Sequence, residues 1–330
     1  MSVITVNSKY SFIELAKRLA PGQQQMQDIA EVMTLRNEML MDIPWFQCNQ
    51  ILSERVTRRT SLPEGTMRQA YKGVPTETST TQVDVEPVAL IESRNEIDEA
   101  IVDNAPDSTE LRRQEDVAFT EGLAQTCASK ILYGNTAGGN ADEINGLDAR
   151  LNALSQTTVE DGGHGTSEGC TSIFVVDWGR LKAYGIYPSA AAQRGTLGLS
   201  IVNKGKEPLQ DGSNNTYYGY VTQFKWWIGL AVRDQRAIGR YCNINPEIGG
   251  SNSFDEDKLI KLLNTGEFSP ATTRIYVSRA VKTQMQIRAK DKGNIQWGPT
   301  DGLSGRRPLM FLDSPIRMME SIKVNENPIT

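Results

Sequence analysis

The chain has 330 residues, a formal net charge of −5 and a hydrophobic fraction of 38%. That length allows one large domain or two modest ones, and the mild acidity argues against a dominant nucleic-acid footprint, which needs a strongly basic face. The cysteines Cys48, Cys127, Cys170 and Cys242 are scattered with no CxxC pair, which points to reduced thiols rather than a disulfide framework or a metal site. No apolar core of signal-peptide length follows Met1 and no run approaches eighteen apolar residues, so neither a secretory leader nor a membrane span is expected.

Residues 10–43 carry helical spacing. Phe12, Leu15, Ala16 and Leu19 share one face before Pro21-Gly22, and Ile29, Val32, Met33, Arg36, Leu40 and Met41 continue it as far as Pro44. Residues 51–92 cannot build a core of their own. Arg55–Leu62 reads as an outgoing extended arm, with Pro63-Glu64-Gly65 and Lys72-Gly73-Val74-Pro75 punctuating a tip. Thr81, Val83, Val85, Ala89 and Ile91 alternate with polar residues as a returning strand. A fifteen-residue arm at ~3.3 Å per residue would reach ~50 Å, beyond the ~40 Å width of a compact domain of this length. An isolated two-stranded hairpin is marginal in water, so this one is expected to lie on another protein, a copy of itself.

The best helix follows, over 107–134. Asp107 stands at the cap, Glu110 at the capping-box position and Gly134-Asn135 at the stop. Val117, Ala124, Ala128, Ile131 and Leu132 line its apolar face, Phe119, Leu123 and Cys127 widen it, and Gly122 suggests close approach of another segment. Glycine-rich loops occupy Gly134–Asn140 and Asp161–Gly165. Strands are expected at Thr171–Trp178, in the aromatic-dense stretch 217–245, and at Arg274–Val277. Short helices are expected over Asp255–Asn264 and from a Ser278 cap to Lys290, with a turn at Asp291–Asn294 leading to another strand.

No HExxH, GxSxG or P-loop pattern occurs. The lone histidine, His164, has Cys170 and Asp161 nearby in sequence, and an intracellular enzyme using His164 and Cys170 is the alternative from outside the structural class. Charge is more informative. Arg55, Arg58, Arg59, Arg68 and Lys72 make residues 54–72 basic, whereas residues 92–121, with Glu96, Asp98 and Glu99, are strongly acidic. A basic projecting loop and an acidic helix region can meet head-to-tail between identical subunits, the type of contact that closes rings.

Several blocks in shared order resemble the tailed-phage major capsid proteins of the Hong Kong 97-type fold, in particular the short-tailed-phage family typified by epsilon-15 and BPP-1. They are Leu15–Gly22, Arg36–Pro44, Arg59–Pro63 with Lys72-Gly73-Val74, Ile131–Asn135 with Gly146-Leu147, and Tyr184–Pro188 with Gly198-Leu199. The most specific is Phe224-Lys225-Trp226 with Gly229–Asp234, Arg236, Arg240, Asn243 and Ile244. The resemblance implies an α+β chain with an N-terminal arm (1–50), an extended β-hairpin loop (51–92), a peripheral domain (93–248) containing the spine helix, and an axial domain (249–330). The strand order would be permuted, with residues 217–245 outside the axial domain. It implies a major capsid protein forming the hexamers and pentamers of an icosahedral virion head around double-stranded DNA, assembled in the host cytoplasm without a cofactor. Scaffolding, cement and portal proteins are implied as further partners. A minor virion or tail-tube protein is the alternative within the structural class. The proposed intersubunit residues are Arg55, Arg58, Arg59, Arg68 and Lys72 against Glu96, Asp98 and Glu99. The basic stretch 274–310 could face DNA or the capsomer centre.

Overall fold

The computed structural model describes residues 37–138, 142–165, 169–193, 197–291 and 310–330. The helices expected over residues 10–36 and the turn and strand expected after Asp291 lie outside the described residues.

The elements run α1 (Met39–Asp42), β1 (Trp45–Gln47), β2 (Ser53–Ser61), β3 (Thr80–Pro87), β4 (Ala89–Asp98), α2 (Glu99–Asp103), α3 (Ser108–Tyr133), α4 (Leu147–Arg150), β5 (Val159–Asp161), β6 (Thr171–Asp177), β7 (Ala183–Tyr187), α5 (Ser189–Gln193), β8 (Leu199–Gln210), β9 (Thr216–Val232), β10 (Ile238–Ile244), α6 (Glu256–Thr265), β11 (Thr273–Val277), α7 (Arg279–Asp291), β12 (Met310–Phe311) and β13 (Ser314–Met318). They divide between two compact units. Of the described residues, the first takes Leu90–Cys127 and the β8–β9 stretch as far as Trp227, and the second takes the rest.

In the first unit, β8 pairs antiparallel with β9 over its whole length, from Leu199 opposite Trp226 to Gln210 opposite Thr216. Ile97, Ile101, Val102 and Leu111 form its core, with Tyr220 packed against them. Phe119 of α3 stacks on Phe224 of β9 at 5.7 Å, and Asp116 accepts from Asn95 at 2.9 Å. The helix starts where its cap dictates: Asp107 Oδ1 accepts from the backbone of Thr109 and Glu110, both at 3.0 Å. The capping box is otherwise not used as expected. The Glu110 carboxylate turns forward to Arg113, at 2.7 and 2.6 Å, because a guanidinium one turn along offers two donors in place of one backbone N–H. Val117 is 43% exposed and does not join the core. A Cβ added at Gly122 meets nothing within 4 Å among the described residues. Gly122→Ala should therefore raise subunit stability by about 0.8–1.0 kcal/mol, the helix-propensity difference, read as a shift in the urea midpoint at constant slope.

In the second unit the central sheet runs β12-β13-β11-β6-β10-β5. Every residue of β6 is buried, as its run of Ile173-Phe174-Val175-Val176 demands of a strand covered on both faces. Helices α6 and α7 supply Leu259, Leu262, Val281 and Met285 to a core shared with Ile173, Val175, Tyr241, Ile275 and Ile316. The stop of α3 is built by two glycines. A Cβ on Gly134 would lie 2.5 Å from the carbonyl oxygens of Ile144 and Lys130, and one on Gly146 2.8 Å from Gly134 N. Only bare backbone fits, and Gly146 N donates to Gly134 O at 2.8 Å.

Two expectations about organisation need correction. Residues 238–244 form β10, which pairs with β6, and β6 pairs in turn with β11. Strands from both sides of residue 249 thus share one sheet. The aromatic-dense stretch 217–245 is not one element: β9 and β10 are parted at Arg233–Ala237 and join different sheets. The returning strand also ends sooner than its alternation suggested. It breaks at Val88, whose N–H turns to Leu52 O at 3.0 Å, and Ala89 and Ile91 belong to β4.

Candidate self-assembly surface

The hairpin belongs to the second unit. β2 and β3 pair from Ser53 opposite Pro87 to Ser61 opposite Thr80. Each strand is nine residues or fewer, spanning roughly 30 Å, so the arm is shorter than the fifteen residues expected. Beyond it, residues 62–79 have no strand and are exposed throughout. Leu62, Met67, Tyr71 and Val74 are among them, at 55% exposure or more.

Residues directly opposite in an antiparallel pair lie on one face. On β3 the two faces are inverted relative to the hydrophobic alternation in the sequence. The outward face carries Arg55, Thr57 and Arg59 opposite Val85, Val83 and Thr81, all exposed. The inward face carries Glu54, Val56, Asp84 and Glu86, of which Glu54, Val56 and Glu86 are buried. The physical reason is specific pairing. Arg150 places Nη1 and Nη2 each 2.7 Å from the two oxygens of Glu86, and Tyr184 donates to Glu54 at 3.0 Å. A buried carboxylate with such partners can outweigh a valine for the inside position.

The proposed contact residues divide accordingly. Arg55, Arg59, Arg68 and Lys72 are exposed and make no side-chain hydrogen bond or ion pair within the described residues. Arg58 points inward instead, donating to Val232 O at 2.9 Å and pairing with Asp84 at 3.1 Å. The three acids are all engaged inside the first unit. Glu96 pairs with Arg94 at 2.9 Å, Asp98 caps α2 through the Ala100 N–H at 2.8 Å, and Glu99 binds Lys206. The charge count groups Arg58 with Arg55 and Arg59; the period of two in a strand sets it on the other face, and the register confirms this.

The catalytic alternative is not supported by geometry. Cys170 is 1% exposed, and its Sγ lies 3.5 Å from the backbone carbonyl of His164. Burial, with the charges of Glu326 and Asp161, pushes the thiol up, the reverse of nucleophile activation. All four cysteines are free and buried. Burial, assisted by Glu54, pushes Cys48 up to about 12, and burial does the same to Cys242. These folded values lie above the ordinary 9.0. The stability they carry is therefore full below pH 9 and is lost as the pH rises toward 12. Iodoacetamide at pH 8 should label the folded chain to less than a tenth of the extent reached in urea, and denaturation midpoints should fall above pH 9. Among the described residues no three His, Cys, Asp or Glu side chains are grouped to hold a metal ion, and no helix is long and apolar enough to cross a membrane.

Residues 21–330 match the family of the major capsid protein GP7. The chain belongs to the major capsid protein GP7 family. Among solved structures it is similar to that of bacteriophage epsilon15, with a TM-score of 0.75 at 20% identity over 100% of this chain and 99% of that one. More remote likenesses are the bacteriophage JBD30 capsid (TM-score 0.48, 9% identity, 89% and 93% covered) and the SrpI encapsulin of Synechococcus elongatus (TM-score 0.46, 11% identity, 71% and 96% covered). No curated protein matches the sequence. The fold is thus the α+β Hong Kong 97-type capsid fold, and this GP7 family member is a capsid-forming structural protein of a phage virion that associates with copies of itself.

Proposed function

We propose that copies of this chain form the hexamers and pentamers of an icosahedral head around double-stranded DNA, and that the outward face of the β2–β3 hairpin makes the contact between neighbours. One observation carries the reading: unpaired cations and apolar side chains share that face and its tip. Arg55, Arg59, Arg68 and Lys72 lack internal partners, while Leu62, Met67, Tyr71, Val74, Val83 and Val85 are 41% exposed or more. Exposed apolar groups in such number mark an interaction surface, and free cations set its register.

The neighbour's acidic segment supplies the other half. Glu96 and Glu99 have carboxylates able to accept a second cation beside Arg94 and Lys206. Asp98, holding a helix terminus, contributes field rather than a direct bond. Within the basic stretch 274–310, Arg274 is tied to Asp42 and Arg279 to Glu320, which leaves Lys282 and Arg288 as the described cations proposed to face DNA. Assembly in the host cytoplasm, aided by scaffolding, decoration and portal proteins, completes this reading. Its test is charge reversal at Arg55 and Arg59 with particles counted by electron microscopy; a wild-type yield of shells would remove the hairpin contact from it.

A further inference from the structure

The inward face of the hairpin raises a separate question, namely what aims it. An apolar root would be held by hydrophobic burial, which has no preferred direction. Here the root is held by two guanidinium groups running in opposite senses. Arg150, from the body of the second unit, reaches both oxygens of Glu86 on β3 at 2.7 Å. The same guanidinium is fixed behind by Asn145 O at 3.1 Å and Leu230 O at 3.2 Å. Arg58 runs the other way, from β2 to Val232 O at 2.9 Å. Both tethers therefore end on carbonyls of the last turn-proximal residues of β9.

We infer that the Arg150–Glu86 pair, with Arg58 beside it, positions the hairpin: it fixes the direction in which the arm leaves its own subunit. A bidentate guanidinium–carboxylate pair defines a plane as well as a distance. A buried ion pair is weak evidence for stability, since apolar residues of similar volume often serve equally well, so the feature such residues could not replace is direction. Leverage makes direction matter. For an arm of roughly 30 Å, a tilt of about 10° at the root moves the far end by about 5 Å, one full strand spacing. A neighbour's acceptor groups would then be missed by a whole row. This inference rests on the reading that the hairpin carries the contact between copies.

The test removes both charges together. Glu86→Met with Arg150→Met keeps the site filled and leaves no lone buried charge. Spin labels on Gly65→Cys and Asn264→Cys, both exposed, report the arm's direction in unassembled subunits, and the native cysteines are buried. We expect a melting temperature near that of the parent, at least a twofold broader label-distance distribution, and particles that are open or of mixed diameter. Should the double variant not fold, Arg150→Lys keeps the charge without the fork and should also broaden the distribution. An unchanged distribution overturns the inference, as does a broadened one with shells of parental diameter and yield. The Arg55→Glu, Arg59→Glu chain separates the two readings, because its tethers are intact. It should keep the narrow distribution while failing to assemble; if it assembles, the contact reading alone falls and the label distances still decide the positioning.

Discussion

Reversing Arg55 and Arg59 to Glu is expected to lower shell yield at least a hundredfold while leaving the subunit folded. Neither side chain has a partner within the described residues, so the subunit loses no bond. Each exposed cation contributes only about 0.2–1 kcal/mol to a contact when paired. Reversal does more than remove that, since placing like charges together at an interface costs several kcal/mol. Taking about 3 kcal/mol per contact, the association constant falls by about two powers of ten. Under the proposed contact a closed shell compounds the loss, because every subunit would both give and receive a hairpin. Sedimentation measures the yield and thermal melting the fold. Parental yield would show that the outward face is idle, and a lowered melting temperature would show that the two arginines serve their own subunit.

The same reasoning predicts a different phenotype one residue away. Arg58 is tied to Val232 O and Asp84, so its loss acts on the root of the hairpin rather than on the neighbour. In the sequence Arg58 and Arg59 belong to one basic run, and only the period of two in a strand sets them on opposite faces.

What was legible follows from what each signal encodes. The spine helix was readable because cap, periodicity and stop are local: Asp107 and Gly134 bound it to within a residue. Buried strands such as β6 and β11 were readable for a similar reason, since runs of β-branched residues leave few alternatives. The hairpin was legible as an arm, but its sidedness was not. Alternation assigns apolar residues inward, and here Glu54 and Glu86 win that place through Tyr184 and Arg150, partners at sequence distances of 130 and 64. Sheet membership was hidden for the same reason. Nothing local in Ile238–Ile244 states that it will pair with β6 while β9, five residues earlier, pairs with β7 and β8. Arg240 is a further signal in the sequence. It lies in β10, every residue of which is buried, and an arginine enclosed there calls for a buried acid.

That acid is Glu326, and among the described ion pairs this should be the costliest to break. Arg240 is 1% exposed and Glu326 is 7% exposed. The guanidinium donates to Glu326 at 2.9 Å, Asp148 at 2.5 Å, Ser172 at 3.0 Å and Leu151 O at 3.2 Å, and lies over the Phe174 ring. Ser172 and Tyr133 donate to the same carboxylate. Burial works against the charged arginine, but the charges of Glu326 and Asp148 outweigh it and push its pKa up. Arg240→Met fills the volume and leaves Glu326 buried with two neutral donors. The expected cost is about 3–5 kcal/mol, the range for stranding one member of a buried pair, against a total stability of about 5–15 kcal/mol. Unlike the reversal at Arg55 and Arg59, this change should reduce soluble subunit before any shell can form. Adding Glu326→Gln removes the stranded charge and should restore at least half of the loss in urea unfolding. If the double variant is no more stable than Arg240→Met alone, the penalty does not come from the unpaired carboxylate, and packing on Phe174 is what the arginine supplies.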